Sequence, residues 1–127
     1  MNGISQKELI QHIRNGLAFS ALESLSLETG QALSELAPRI GIPPRTLARR
    51  KSSGKLSMEE SERVVRLANL YEKATELFGG DAASARRWMS QPKKALGGES
   101  PLDYAGTELG AREVENLIGR LEHGVFA

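Results

Sequence analysis

Six basic side chains stand between Glu35 and Glu59 with no acid among them: Arg39, Arg45, Arg49, Arg50, Lys51 and Lys55. Cationic groups gathered without counter-charge attract phosphate. Arg45, Thr46 and Arg49 are the candidate base readers. An arginine grips guanine O6 and N7 with two hydrogen bonds, and a threonine offers a hydroxyl and a methyl. Arg50, Lys51 and Lys55 are candidate phosphate contacts, which set register without reading sequence. The competing reading is a plain helical hairpin with a solvated basic face. The acid-free run, and the concentration of Arg45, Thr46, Arg49 and Arg50 on one helix, weigh against it.

The surrounding residues supply a frame for those side chains. Leu33, Leu36, Ala37 and Ile40 mark the inner face of one helix, in which Pro38 is an oddity. It falls either in the first turn or at a kink. Gly41 can take φ > 0 where that helix must stop, Ile42 follows as a buried hinge, and Pro44 presets the start of the next helix. In that second helix Leu47 faces inward, while Arg45, Arg49 and Arg50 project outward. This is the pattern of a helix-turn-helix whose second helix enters a DNA major groove. One such motif binds weakly alone, so a dimer on a two-fold site is expected.

No stretch alternates with period two, so the chain is expected to be all-α. Two amphipathic segments, Ser5 to Ile13 and Leu17 to Leu27, precede the motif. Ser57 and Glu60 form a capping box that opens the longest helix, which ends at Gly79-Gly80. Its stripe of Val64, Leu67, Ala68, Tyr71, Ala74 and Phe78 spans about 30 Å, enough to join two lobes. Asp81 caps a helix carrying Ala85, Trp88 and Met89, and Ser100-Pro101 opens a short one. Thr107 caps the last, with Leu109, Val114, Leu117, Ile118 and Leu121 as its stripe.

Composition narrows the function. The 127 residues, 39% hydrophobic and 26% charged, suit one compact domain or two small ones sharing a helix. Without cysteine there is no disulfide, zinc-thiolate site or thiol nucleophile. His12 and His123 are too few and too distant for a metal centre, and no cofactor is expected. Glu59, Glu60 and Glu62 read as a charged helix face, and His123 has no nucleophile or paired base beside it, so catalysis has no supporting constellation. Neither glycine pair belongs to a phosphate loop. No apolar run reaches the roughly 20 residues of a membrane span, which makes a cytoplasmic protein the default. From Ala95 onward Glu99, Asp103, Glu108, Glu113, Glu115 and Glu122 outnumber Arg112 and Arg120. A basic middle and an acidic end meet different partners. Trp88 is most simply a core residue; its functional reading is an anchor in a partner interface.

The run Ile42-Pro-Pro-Arg-Thr-Leu-Ala-Arg-Arg-Lys51, with Gly54-Lys-Leu-Ser57 and Glu60-Ser-Glu-Arg-Val64, resembles the Xre-type antitoxins of RES–Xre toxin–antitoxin modules, the ParS-like group. The more specific match is in the second half: Leu77-Phe-Gly-Gly80, Ala85-Arg-Arg-Trp88, Pro92, Ala95-Leu-Gly-Gly98, Ser100-Pro-Leu-Asp103, Thr107, Gly110, Val114 and Gly119-Arg-Leu-Glu-His-Gly-Val-Phe126. The resemblance runs from about Gly16 to the end.

It implies a Cro/repressor-like helix-turn-helix lobe, residues 1–78, that dimerises and binds the operator DNA of its own operon. A long helix would join this to a small helical lobe, residues 79–127, that clasps a RES-type toxin. Such toxins consume NAD or transfer ADP-ribose, and the antitoxin neutralises by covering the active site. Carried onto this chain, the implied toxin contacts are Trp88, Leu102, Asp103, Arg120, Glu122, His123 and Phe126. Two departures from the family pattern stand out: Tyr104-Ala105-Gly106, where Gly106 should loosen the short helix, and Pro44 beside Pro43, where a charged residue is frequent. The rival from another class is a stand-alone helix-turn-helix regulator whose C-terminal lobe dimerises or senses a small molecule.

Overall fold

A computed structural model describes residues 4–124, which form eight α-helices and no strand. Local signals place nearly every boundary. α1 (Gln6–Asn15) opens on a capping box in which Ser5 and Glu8 satisfy each other's amides. α2 (Phe19–Thr29) ends on left-handed Gly30. α3 (Leu33–Arg39) and α4 (Pro44–Ser53) form the helix-turn-helix. α5 (Met58–Leu77) begins with the Ser57–Glu60 capping box, and α6 (Ala82–Ser90) is capped by Asp81. A single 3-10 turn at Lys94–Leu96 leads to α7 (Pro101–Tyr104) and α8 (Glu108–Glu122), capped by Ser100 and Thr107.

The turn of the motif is a Schellman closure. The Ile42 N–H donates to the Ala37 carbonyl at 2.8 Å and the Gly41 N–H to the Pro38 carbonyl at 3.1 Å, with Gly41 at φ 78°. Reversing the chain this way drives Ile42 fully into the core. Pro38 differs from expectation: α3 begins at Leu33, so the proline sits in its last turn rather than its first. There its ring ends the helix without kinking it, because the chain turns at Gly41 in any case.

α5 is the spine. It packs against α1, α2, α6 and α8, while α3 reaches it through α2 and carries α4. One continuous buried cluster runs from Phe19, Leu22 and Leu36 through Leu67, Tyr71 and Ala74 to Val114 and Ile118. Both lobes therefore draw on the same core. Two expected stripe residues are elsewhere: Leu109 is 75% exposed on the outer side of α8, and Phe78, past the end of α5, is largely exposed. Gly106 lies beyond the end of α7 rather than within it.

A second tie holds the end of the motif. The linker before α2 lies antiparallel to the linker before α5, with Leu56 N–H donating to Leu17 O and Phe19 N–H to Gly54 O, each at 2.9 Å. The buried Ser61 hydroxyl accepts from the Leu17 N–H at 2.8 Å. A side chain at Gly16 would put its Cβ 2.2 Å from the Leu56 carbonyl oxygen, so glycine is what lets these linkers approach.

Tyr71 is buried where the two lobes meet, and its hydroxyl has no hydrogen-bond partner among the described residues. Burial pushes its pKa up to about 12. An unpaired buried hydroxyl is a net cost, so Tyr71→Phe is expected to leave urea stability unchanged or raise it by about 1 kcal/mol. A loss of stability would show that the hydroxyl is bonded after all.

Candidate nucleic-acid interface and partner-binding face

Along α4 and the loop after it, Arg45, Arg49, Lys51 and Lys55 are exposed, Thr46 is half-buried, and Leu47 turns inward toward the core. None of these four cations has an ion-pair partner among the described residues. They leave an uncompensated positive surface on the second helix of the motif, as groove insertion requires.

Arg50 departs from the outward placement expected for it. Its guanidinium turns back onto α5, donating from Nε to Glu60 Oε1 at 2.8 Å and from Nη2 to Oε2 at 3.2 Å. Glu60 Oε1 also accepts the Ser57 N–H at 2.9 Å, and its side chain is only 7% exposed. Burial by itself would raise the Glu60 carboxyl, but the Arg50 fork and the Ser57 amide outweigh it and hold the pKa below the ordinary value. The pair clamps α4 to α5 and fixes the angle at which the exposed arginines are presented. Arg63 assists from the next turn of α5, with Nη1 3.4 Å from the Ile40 carbonyl at the end of α3. Glu60 was legible as half of a capping box; its link to Arg50 spans a loop that spacing alone does not resolve.

The expected contacts of the second lobe are dispersed. Trp88 is half-buried on α6, with the Lys93 ammonium 5.0 Å from its ring centroid. Burial lowers the Lys93 pKa. Leu102 is 2% exposed, which makes it a core residue rather than a surface contact: it is the inward face of α7, packed with the residues that join α7 to α6 and α8. Asp103 is exposed but already paired, 2.8 Å from Arg39 Nη1, and so bridges α7 to the end of α3. Arg120 is half-buried on α8, while Glu122 and His123 are exposed at its C-terminal end. Phe126 lies outside the described residues. Arg86, Arg87, Lys93 and Lys94 form a second acid-free basic run around Trp88, overlooked in the division into a basic middle and acidic end although it is plain in the sequence.

Among the described residues no three His, Cys, Asp or Glu side chains gather as metal ligands, and no helix is long and apolar enough to cross a membrane.

Comparison with known proteins divides the chain as the geometry does. Residues 8–69 match the antitoxin Xre-like helix-turn-helix domain, and residues 73–124 match the antitoxin Xre/MbcA/ParS C-terminal toxin-binding domain. An all-α protein that carries these two domains in tandem is an antitoxin of a toxin–antitoxin module. Over 120 residues the chain is 43% identical to Antitoxin Xre of Yersinia enterocolitica serotype O:8 / biotype 1B, covering 94% of this chain and 81% of that protein. It therefore belongs to the Xre-type antitoxin family. It is also 43% identical over 88 residues to Antitoxin Xre of Photorhabdus laumondii, covering 68% of this chain and 60% of that protein. A more distant relative is the Prs ADP-ribosylating antitoxin of a Sphingobium species, 38% identical over 80 residues, covering 57% of this chain and 50% of that protein.

Proposed function

We propose that this antitoxin neutralises a RES-type, NAD-consuming or ADP-ribosylating toxin by binding over its active site, and represses its own operon as a DNA-bound dimer in the cytoplasm. The observation that carries this reading is the tandem match of a helix-turn-helix domain and a toxin-binding domain across one chain with a shared core. The name of the Sphingobium relative, which joins ADP-ribosylation to an antitoxin, supports the choice of toxin chemistry. Residues 1–78 supply the DNA and dimer functions and residues 79–127 the toxin function, with α5 as their joint.

On α4, Arg45, Thr46 and Arg49 read base edges, and Lys51 and Lys55 hold phosphates. Arg50 contributes by holding α4 in place. In the second lobe Trp88, Arg120, Glu122 and His123 are the surface groups available to the toxin, and Phe126 extends that set along the chain.

Coexpression with the product of the adjacent gene tests the toxin function: the two proteins should copurify, and this chain should restore growth that the neighbour arrests. Absence of both effects would favour a stand-alone regulator. For the DNA function, Arg49→Ala should cost about 1–3 kcal/mol of operator binding and relax specificity at one base pair. Lys55→Ala should weaken all sequences evenly and flatten the salt slope by about one. If neither change alters binding to the operon's promoter DNA, α4 is not the reading helix.

A further inference from the structure

Two glycines lie within α8, and they have opposite reasons for being there. A Cβ at Gly110 would sit 1.8 Å from the Tyr104 carbonyl oxygen, so the packing of α7 on α8 demands its absence. A Cβ at Gly119 would meet nothing within 4 Å, and the backbone there has no positive φ. Glycine is the weakest helix former after proline. The fold gains nothing from Gly119 and loses helix stability by it. What removes the side chain at this point has to come from outside the chain.

The surroundings of Gly119 suit an approaching partner. Glu115, Asn116, Arg120 and His123 line a shallow open groove around it, forming a polar collar about a bare patch of helix backbone. Arg120 Nε is buried and finds no acceptor among the described residues. An oxygen brought in by a partner would satisfy it.

We infer that Gly119 is the point of closest approach between α8 and the toxin, where a backbone segment or a flat ring of the toxin seats against the helix inside the normal side-chain radius and offers an oxygen to Arg120. This rests on the toxin-binding function proposed above. It goes further by placing the centre of the contact on the outer face of α8 rather than on Trp88 or the short α7.

The test uses the full chain and the purified product of the adjacent gene. Gly119→Ala should raise the melting temperature of the free protein by about 2–5 °C. It should also weaken the complex about tenfold in calorimetric titration. Gly119→Leu should keep the helical circular dichroism and weaken the complex about a hundredfold. Glu113→Leu, elsewhere on the same helix and equally exposed, should bind as the unsubstituted protein does. Unchanged toxin affinity in Gly119→Leu overturns the proposal. So does a variant that binds toxin normally but shifts the sedimentation of the free protein, since the glycine would then serve a second copy of this chain. If the unsubstituted protein binds no toxin, the toxin-binding function itself fails and the proposal with it.

Discussion

Gly110→Ala is expected to lower stability by about 3 kcal/mol, although alanine is the better helix former by about 1 kcal/mol. Gly110 sits in the first turn of α8, buried, with its N–H donating to Thr107 Oγ1 at 3.0 Å. The added carbon would fall 1.8 Å from the Tyr104 carbonyl oxygen, 3.0 Å from its carbon and 3.1 Å from the Thr107 hydroxyl. The first two are backbone atoms at the end of α7 and cannot swing aside as a side chain would. Relief requires α8 to shift against α7 and α5, and both contacts feed the shared core. A loss of about 3 kcal/mol is a large part of the 5–15 kcal/mol typical of a domain. Urea denaturation at neutral pH should show a much lower midpoint with little change in slope. A midpoint at or above that of the unsubstituted chain would mean that α7 does not pack on α8 at this distance.

The second large effect belongs to the clamp behind α4. Removing one member of a buried, doubly hydrogen-bonded ion pair leaves the other uncompensated, so Arg50→Met is expected to cost about 3 kcal/mol. The double change Arg50→Met with Glu60→Met should recover much of that loss, although the amide of Ser57 loses its cap. The pH dependence has a definite sign. The Glu60 carboxyl titrates lower in the folded chain than in the unfolded one. Its contribution is thus complete above the unfolded value of roughly 4.3 and is lost as pH falls through the folded value. Glu60→Gln should destabilise the protein at pH 7 and flatten the decline in stability below about pH 4.5. The same clamp separates two kinds of arginine. Arg50→Met should weaken operator binding together with melting temperature, because α4 loosens; Arg49→Ala should weaken operator binding at an unchanged melting temperature. If Arg50→Met reduces binding with full stability retained, Arg50 contacts DNA directly.

Much of this architecture was legible because its causes are local. Ser57 with Glu60, Asp81, Ser100 before Pro101, and Thr107 each close a helix start with a bond spanning two or three residues. Gly41 and Gly79 close helix ends the same way. Such bonds depend on residue type and spacing, and both are visible in a string. The family was legible for a related reason: its glycines, proline and tryptophan recur at spacings that local geometry enforces.

Side-chain destination was a different matter. Arg50 and Arg49 are adjacent basic residues on one helix, yet one is locked to Glu60 across a loop and the other is free. Leu102 and Leu109 are alike in type, yet α6 and α8 bury the first and nothing covers the second. Gly110 and Gly119 are chemically identical; only the approach of the Tyr104 carbonyl tells them apart. By itself, then, the sequence determined that this chain is all-α, where its helices begin and end, and which family it belongs to. The tertiary structure decided which cations face outward, which apolar residues are core, and which glycine the fold needs. Those outcomes depend on atoms brought close by packing against α5 from distant parts of the chain, and periodicity carries no record of such distances.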